Sequence, residues 1–132
     1  MASAVSAGTQ QRERDPDHQV MKVATIVAPG RVMLHEQPLP DPERGQVRVA
    51  LHGCGVCASN LPVWQGRPWF EYPLPAGSPG HEGWGTIDAI GEGVDSLAVG
   101  DRVAMLSYHA FATHDLAPAD AVIKLPPHLE GP

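Results

Sequence analysis

Gly80-His81-Glu82-Gly83-Trp84-Gly85-Thr86-Ile87-Asp88-Ala89-Ile90-Gly91-Glu92-Gly93 carries a candidate site and, immediately after it, a structural element. Trp84 to Ile90 reads as a strand, and Gly91-Glu92-Gly93 as the turn that ends it. Glycines at 80, 83 and 85 let the backbone approach its neighbours closely. A dinucleotide-binding unit would need a strand, a glycine-rich turn and a helix within ~30 residues. Here the turn lacks the third glycine, and no helical pattern follows. The stretch therefore predicts a short strand in an all-β fold.

Composition points the same way. Fourteen Gly and fourteen Pro among 132 residues argue against long helices and suit many turns. One domain is expected at this length, with a core that buries roughly two thirds of the unfolded surface. The net charge of −6 argues against a nucleic-acid partner, which would need clustered Lys and Arg. No apolar run approaches the ~20 residues of a membrane span. Residues 1–19 lack an apolar signal segment and read as a disordered leader, and a cytoplasmic home is expected.

Outward from Gly80 the chain is punctuated by short strands. Lys22 to Val27 and Arg31 to Glu36 flank a Pro29-Gly30 turn. Val47 to His52 alternates apolar with polar or small residues, as a half-buried strand does. Ser59 to Trp64 allows one short helical turn, with Pro62 as its expected limit. Residues 67–79 hold four prolines and form an irregular loop carrying Trp69, Phe70 and Tyr72. Arg102 to Leu106, Phe111 to Leu116 and Ala121 to Leu125 complete the set. The spacing predicts a barrel or sandwich.

Cys54 and Cys57 form a CxxC pair. Thioredoxin-like chemistry would need a βαβ setting, and a zinc ribbon would need a second CxxC. The remaining readings are a buried inert thiol, or Cys57 acting alone with distant partners. His81 lies 24 positions after Cys57 (81 − 57) and Glu82 sits beside it. Thiolate, imidazole and carboxylate are donors a catalytic zinc accepts while keeping one position open. The other histidines, at 18, 35, 52, 109, 114 and 128, read as structural.

Gly80-His81-Glu82-x-x-Gly85, followed by Gly91 and Val94, resembles at every position the zinc signature of the medium-chain dehydrogenase/reductase superfamily, the zinc-type alcohol dehydrogenases. Gly53 to Asn60 is similar to that family's segment around its first zinc-ligand cysteine. Gly100-Asp101-Arg102-Val103 and the run from Phe111 to Pro127 are similar to later parts of its catalytic domain. The resemblance covers about residues 20–127. It implies a GroES-like, partly open β-barrel with short helical turns over residues 20–132. It implies one catalytic Zn²⁺ held by Cys57 and His81, with Glu82 as a ligand or a group that exchanges with water. Ser59 matches the hydroxyl that accepts the alcohol proton. Trp64, Trp69, Phe70 and Tyr72 are expected to help line the substrate side.

The chain departs from the family pattern in four places. Asn60 replaces the usual Asp. Pro62 replaces a histidine that passes the proton to solvent. The four-cysteine structural-zinc lobe is missing, so no structural zinc is expected. The Rossmann coenzyme domain is also missing, so NAD or NADP would bind through a part outside this sequence. The expected activity is NAD(P)-linked oxidation of a small-molecule alcohol, or reduction of an aldehyde or ketone. The full-length enzyme is expected to be a homo-oligomer. The isolated chain, a fragment or a truncated gene product, is expected to be inactive. The alternatives are a metal-free quinone or enone reductase domain, and a non-enzymatic β-barrel binding module.

Overall fold

A computed structural model describes residues 20–129. The leader expected over residues 1–19 lies outside them. β1 (Val20–Ala28) and β2 (Arg31–Pro38) form a hairpin through Pro29-Gly30, where Gly30 adopts φ 69°. That left-handed conformation suits glycine because it has no Cβ to clash. β3 (Gln46–Gly55), β4 (Glu82–Ile90), β5 (Arg102–Met105), β6 (His114–Pro118) and β7 (Val122–Lys124) form one antiparallel sheet in the order β6-β3-β4-β5-β7. β4 stands at the centre of this order, and β3 beside it is the longest strand, at ten residues.

Alternation along these strands makes the core. Val47 and Val49 of β3, Ile87 of β4, Val103 and Met105 of β5, Ala117 of β6 and Val122 of β7 turn to one side and are buried together. Leu51, Ile90, Val94 and Leu97 pack around them. Each large aliphatic side chain fully buried in this way contributes about 1.5–3 kcal/mol. The β3–β4 register shifts between Arg48 and Val49 and again between Leu51 and Gly53. Such bulges bend and twist a strand, so the sheet curls. At Gly85 β4 lies against the β3 backbone with no room for a side chain: a Cβ would lie 2.1 Å from the Ala50 carbonyl oxygen.

The hairpin joins this sheet through a short backbone seam. Ala24 N–H donates to Phe111 O at 2.8 Å, Thr113 N–H to Lys22 O at 2.9 Å, and Leu51 N–H to Thr113 O at 2.8 Å. Phe111 to Thr113 therefore bridge β1 and β3, and β6 begins only at His114, later than the expected Phe111 start. The proline-rich loop runs beside β1, with Leu74 N–H on Ile26 O and Gly77 N–H on Ala24 O. The result is a mostly-strand, half-closed barrel.

The helical turn is real but differs in one respect. A 3-10 turn at Ala58–Asn60 runs into α1 (Leu61–Gln65), and Pro62 stands in the first turn of α1. Backbone N–H groups there have no intrahelical partner, so proline costs nothing and its fixed φ favours the helix. Pro62 opens α1 and does not limit it. The helix ends at Gly66, with φ 75°.

Candidate metal centre

β3 and β4 bring together residues far apart in sequence. The last pair of their ladder sets Gly55 opposite Glu82. Cys57 follows β3 by two residues, His81 precedes β4 by one, and Glu82 is the first residue of β4. One end of the ladder thus carries all three side chains. Their ligand atoms lie within 4.8 Å of one another, and no other such group of three occurs among the described residues. Gly55 makes room for the carboxylate: a Cβ there would sit 2.0 Å from Glu82 Oε2.

Local hydrogen bonds orient each donor. His81 Nδ1–H donates to Pro79 O at 2.9 Å, which leaves Nε2 as the ligand nitrogen. That carbonyl is the main cause of a raised imidazole pKa, with the Cys57 sulfur adding to it. The Cys57 thiol is pulled below its usual range, first by the Ser59 hydroxyl and then by the Ser59 backbone N–H and His81. Partial burial and the Glu82 carboxylate oppose that shift. The shift is toward the thiolate, the form that binds a metal. Cys54 stands apart. Its Sγ–H donates to Gly55 O at 3.4 Å, burial pushes its pKa up, and it is not in the cluster.

The four aromatic residues expected on the substrate side are divided. Trp64 lines an apolar cavity of about 710 Å³, together with Val56, Leu61, Val32, Leu34 and Phe111. Trp69, 68% exposed, packs on Phe70 at 5.9 Å between ring centroids, and the Tyr72 hydroxyl donates to Val63 O. None of those three lines the cavity, and neither do Cys57, His81 or Glu82. Two further residues adjoin the cluster: Asn60, which the sequence already marked as standing in place of the family's Asp, and Tyr108, which it did not mark. The Tyr108 ring lies 5.8 Å from that of His81, and Asn60 is buried against both ligand segments. The only signal for Tyr108 was an aromatic residue on the return from β5 to β6.

Residues 43–127 match the alcohol dehydrogenase GroES-like domain. The chain belongs to this family. The GroES-like domain is 41% identical over 86 residues to the starvation-sensing protein RspB of Escherichia coli, covering 64% of this chain and 24% of RspB. It is 36% identical over 95 residues to an alcohol dehydrogenase of Moraxella sp., covering 71% of this chain and 28% of that enzyme. The chain therefore spans about a quarter of the length of these curated relatives. It superposes on the crystal structure of the short chain alcohol dehydrogenase rspB of E. coli, complexed with NADH, with a TM-score of 0.71 and 30% identity, over 83% of this chain and 39% of that one. The GroES-like domain here is thus of the medium-chain dehydrogenase/reductase type, and its relatives are oxidoreductases.

Proposed function

We propose that Cys57, His81 and Glu82 hold a catalytic Zn²⁺, and that the domain is the metal-binding catalytic portion of an NAD(P)-dependent alcohol dehydrogenase. Three unlike donors converging within 4.8 Å carry this reading. The set fits the group, since thiolate, imidazole and carboxylate are the protein ligands of catalytic zinc, and three of them leave a position for substrate. When bound, the ion would act as a Lewis acid that lowers the pKa of an alcohol.

The residues of this chain supply the rest. Pro79 fixes the imidazole so that Nε2 faces the cluster. Ser59 presents a hydroxyl beside Cys57. Its hydrogen bonds to the sulfur here; turned from the sulfur, the hydroxyl would accept a hydrogen bond from an alcohol and give up its own hydrogen as it takes the alcohol proton. Pro62 offers no group to carry that proton onward, so it passes to water. Tyr108 stands against the His81 ring at the same end of the sheet. A nicotinamide bound by a part of the full-length enzyme outside this domain would supply the hydride chemistry. The substrate class is a small alcohol, or in reverse an aldehyde or ketone.

Metal content of the purified chain tests this. The wild type should hold close to one zinc, Cys57→Ser should lose it, and Cys54→Ser should keep it. Equal loss in Cys54→Ser would place the metal on the CxxC pair and end the dehydrogenase assignment of Cys57. A wild type free of zinc after zinc-supplemented expression would move the domain to the metal-free quinone or enone reductase branch.

A further inference from the structure

We infer that the cavity lined by Asp115 is a second binding site, and that it takes a small organic ammonium ion through that carboxylate. The inference does not rest on the reading of Cys57 and His81 as ligands. The cavity measures about 420 Å³ and lies between the β1–β2 hairpin and the β6 edge of the larger sheet. Met21 and Val23 of β1, Gln37 of β2, Gln46 of β3, and Asp115 and Leu116 of β6 stand in its walls. Ligand pockets have this size and make-up, apolar walls with a few polar groups set among them.

Asp115 breaks the pattern of its own strand. It stands on the face of β6 that, two residues on, gives Ala117 to the core, and it pairs across to fully buried Val49. It is 8% exposed. Its oxygens accept from the Ser107 hydroxyl and from Leu116 N–H at 2.8 Å, and both donors are neutral. None of the ion pairs among the described residues includes it. His109 lines the cavity but is exposed, and it favours the charge through space more weakly than either hydrogen bond. A buried carboxylate is paired as a rule, because an unpaired one costs stability. Here the hydrogen bonds are supplied and the opposite charge is not. A local conflict of this kind marks a functional position.

The missing partner is a cation with an apolar body. An ammonium group donates to the lone pairs of Asp115 that Ser107 and Leu116 leave open. Met21, Val23 and Leu116 cover an alkyl part. A bare metal ion fits less well, since Asp115 belongs to no group of three metal donors. The net charge of −6 favours the approach of a cation. Cys57, His81 and Glu82 do not line this cavity. The two places adjoin through one short segment. Ser107 serves Asp115, His109 lines the cavity, and Tyr108 between them meets the His81 ring.

The experiment is titration of the intact chain with n-butylammonium, followed by backbone amide chemical shifts, with methyl propyl ether as the neutral molecule of like size. In wild type the amides of Gln37, Gln46, His109 and Leu116 should shift saturably. The ether should bind at least about tenfold more weakly, because it cannot answer a buried charge. Asp115→Asn keeps the shape and removes the charge, and it should weaken n-butylammonium by at least about tenfold as well. Cys57→Ser should bind it as wild type does. No saturable shift at those amides, equal binding of the ether, or unchanged binding in Asp115→Asn overturns the inference. Loss of binding in Cys57→Ser also overturns it, since the ammonium would then sit at the metal centre. If Asp115→Asn does not fold, the wild-type shifts and the ether comparison decide the matter.

Discussion

Two glycines contact β3 and β4 in different ways, and they should respond differently to a methyl group. At Gly55 the added Cβ would meet the Glu82 side chain at 2.0 Å, and that side chain is exposed and able to swing away. At Gly85 it would meet the Ala50 carbonyl at 2.1 Å, part of a paired backbone that cannot move aside. Gly55→Ala should therefore cost under about 1 kcal/mol of stability while weakening metal binding roughly tenfold. Gly85→Ala should cost about 3 kcal/mol, measured by denaturant unfolding. Asp115 offers a pH signature. It is buried, accepts from Ser107 Oγ and from Leu116 N–H at 2.8 Å, and burial raises its pKa above the ordinary carboxylate value. A carboxyl raised in the folded state holds its proton more tightly there than when unfolded. Its contribution to stability is therefore present at low pH and lost as pH rises through the folded pKa. Between about pH 4 and pH 7 the Tm of Asp115→Asn should rise relative to wild type. A difference that stays flat or falls would contradict the burial argument. Cys57, His81 and Glu82 could be named as candidate ligands from the sequence because residue type and motif spacing carry chemistry. The partners of Asn60 and the place of Tyr108 could not, because they depend on which loops meet.

Strands and turns were legible because each is a local decision. Period-two alternation in Val47 to His52 and Trp84 to Ile90, bounded by Gly and Pro, leaves little else to form. The ends were less so. Phe111 to Thr113 have strand character, yet they serve β1 on one side and β3 on the other, a division that only the assembled fold sets. Pro62 was misjudged for a related reason, since its effect depends on whether it opens a helix or interrupts one. Its place in the first turn of α1 makes a specific expectation. Pro62→Ala should lower stability by under about 1 kcal/mol, the entropy that proline withholds from the unfolded chain. A stabilisation by thermal denaturation would mean the ring is strained where it sits.

Across the domain, apolar residues serve two different ends. Ile87 is fully buried at the centre of the sheet, and Ile87→Ala should cost about 2–5 kcal/mol. Leu34 is 78% exposed on β2, beside exposed Val32 and Met33. Leu34→Lys should change stability by no more than about 0.5 kcal/mol while reducing binding of an apolar dye. The contrast was not visible in the sequence, where β2 reads as a strand like any other. It follows from topology, since β1 and β2 form a two-stranded sheet of their own and, among the described residues, no strand pairs with the other edge of β2.

The end of the β3–β4 ladder has one more consequence. Cys57 and His81 stand at the two feet of the proline-rich loop, 24 positions apart (81 − 57). Any ion that joins them turns that loop into a ring. If the ladder frays at this end, the ring stays shut and the loop is denied the freedom that an open chain would gain. For a ring of this size that entropy is roughly 3 kcal/mol. The same contact that would serve chemistry would thus act as a clasp. Amide protons of residues 58–80 should exchange more slowly with Zn²⁺ than without it, while those of β5 and β7 change far less.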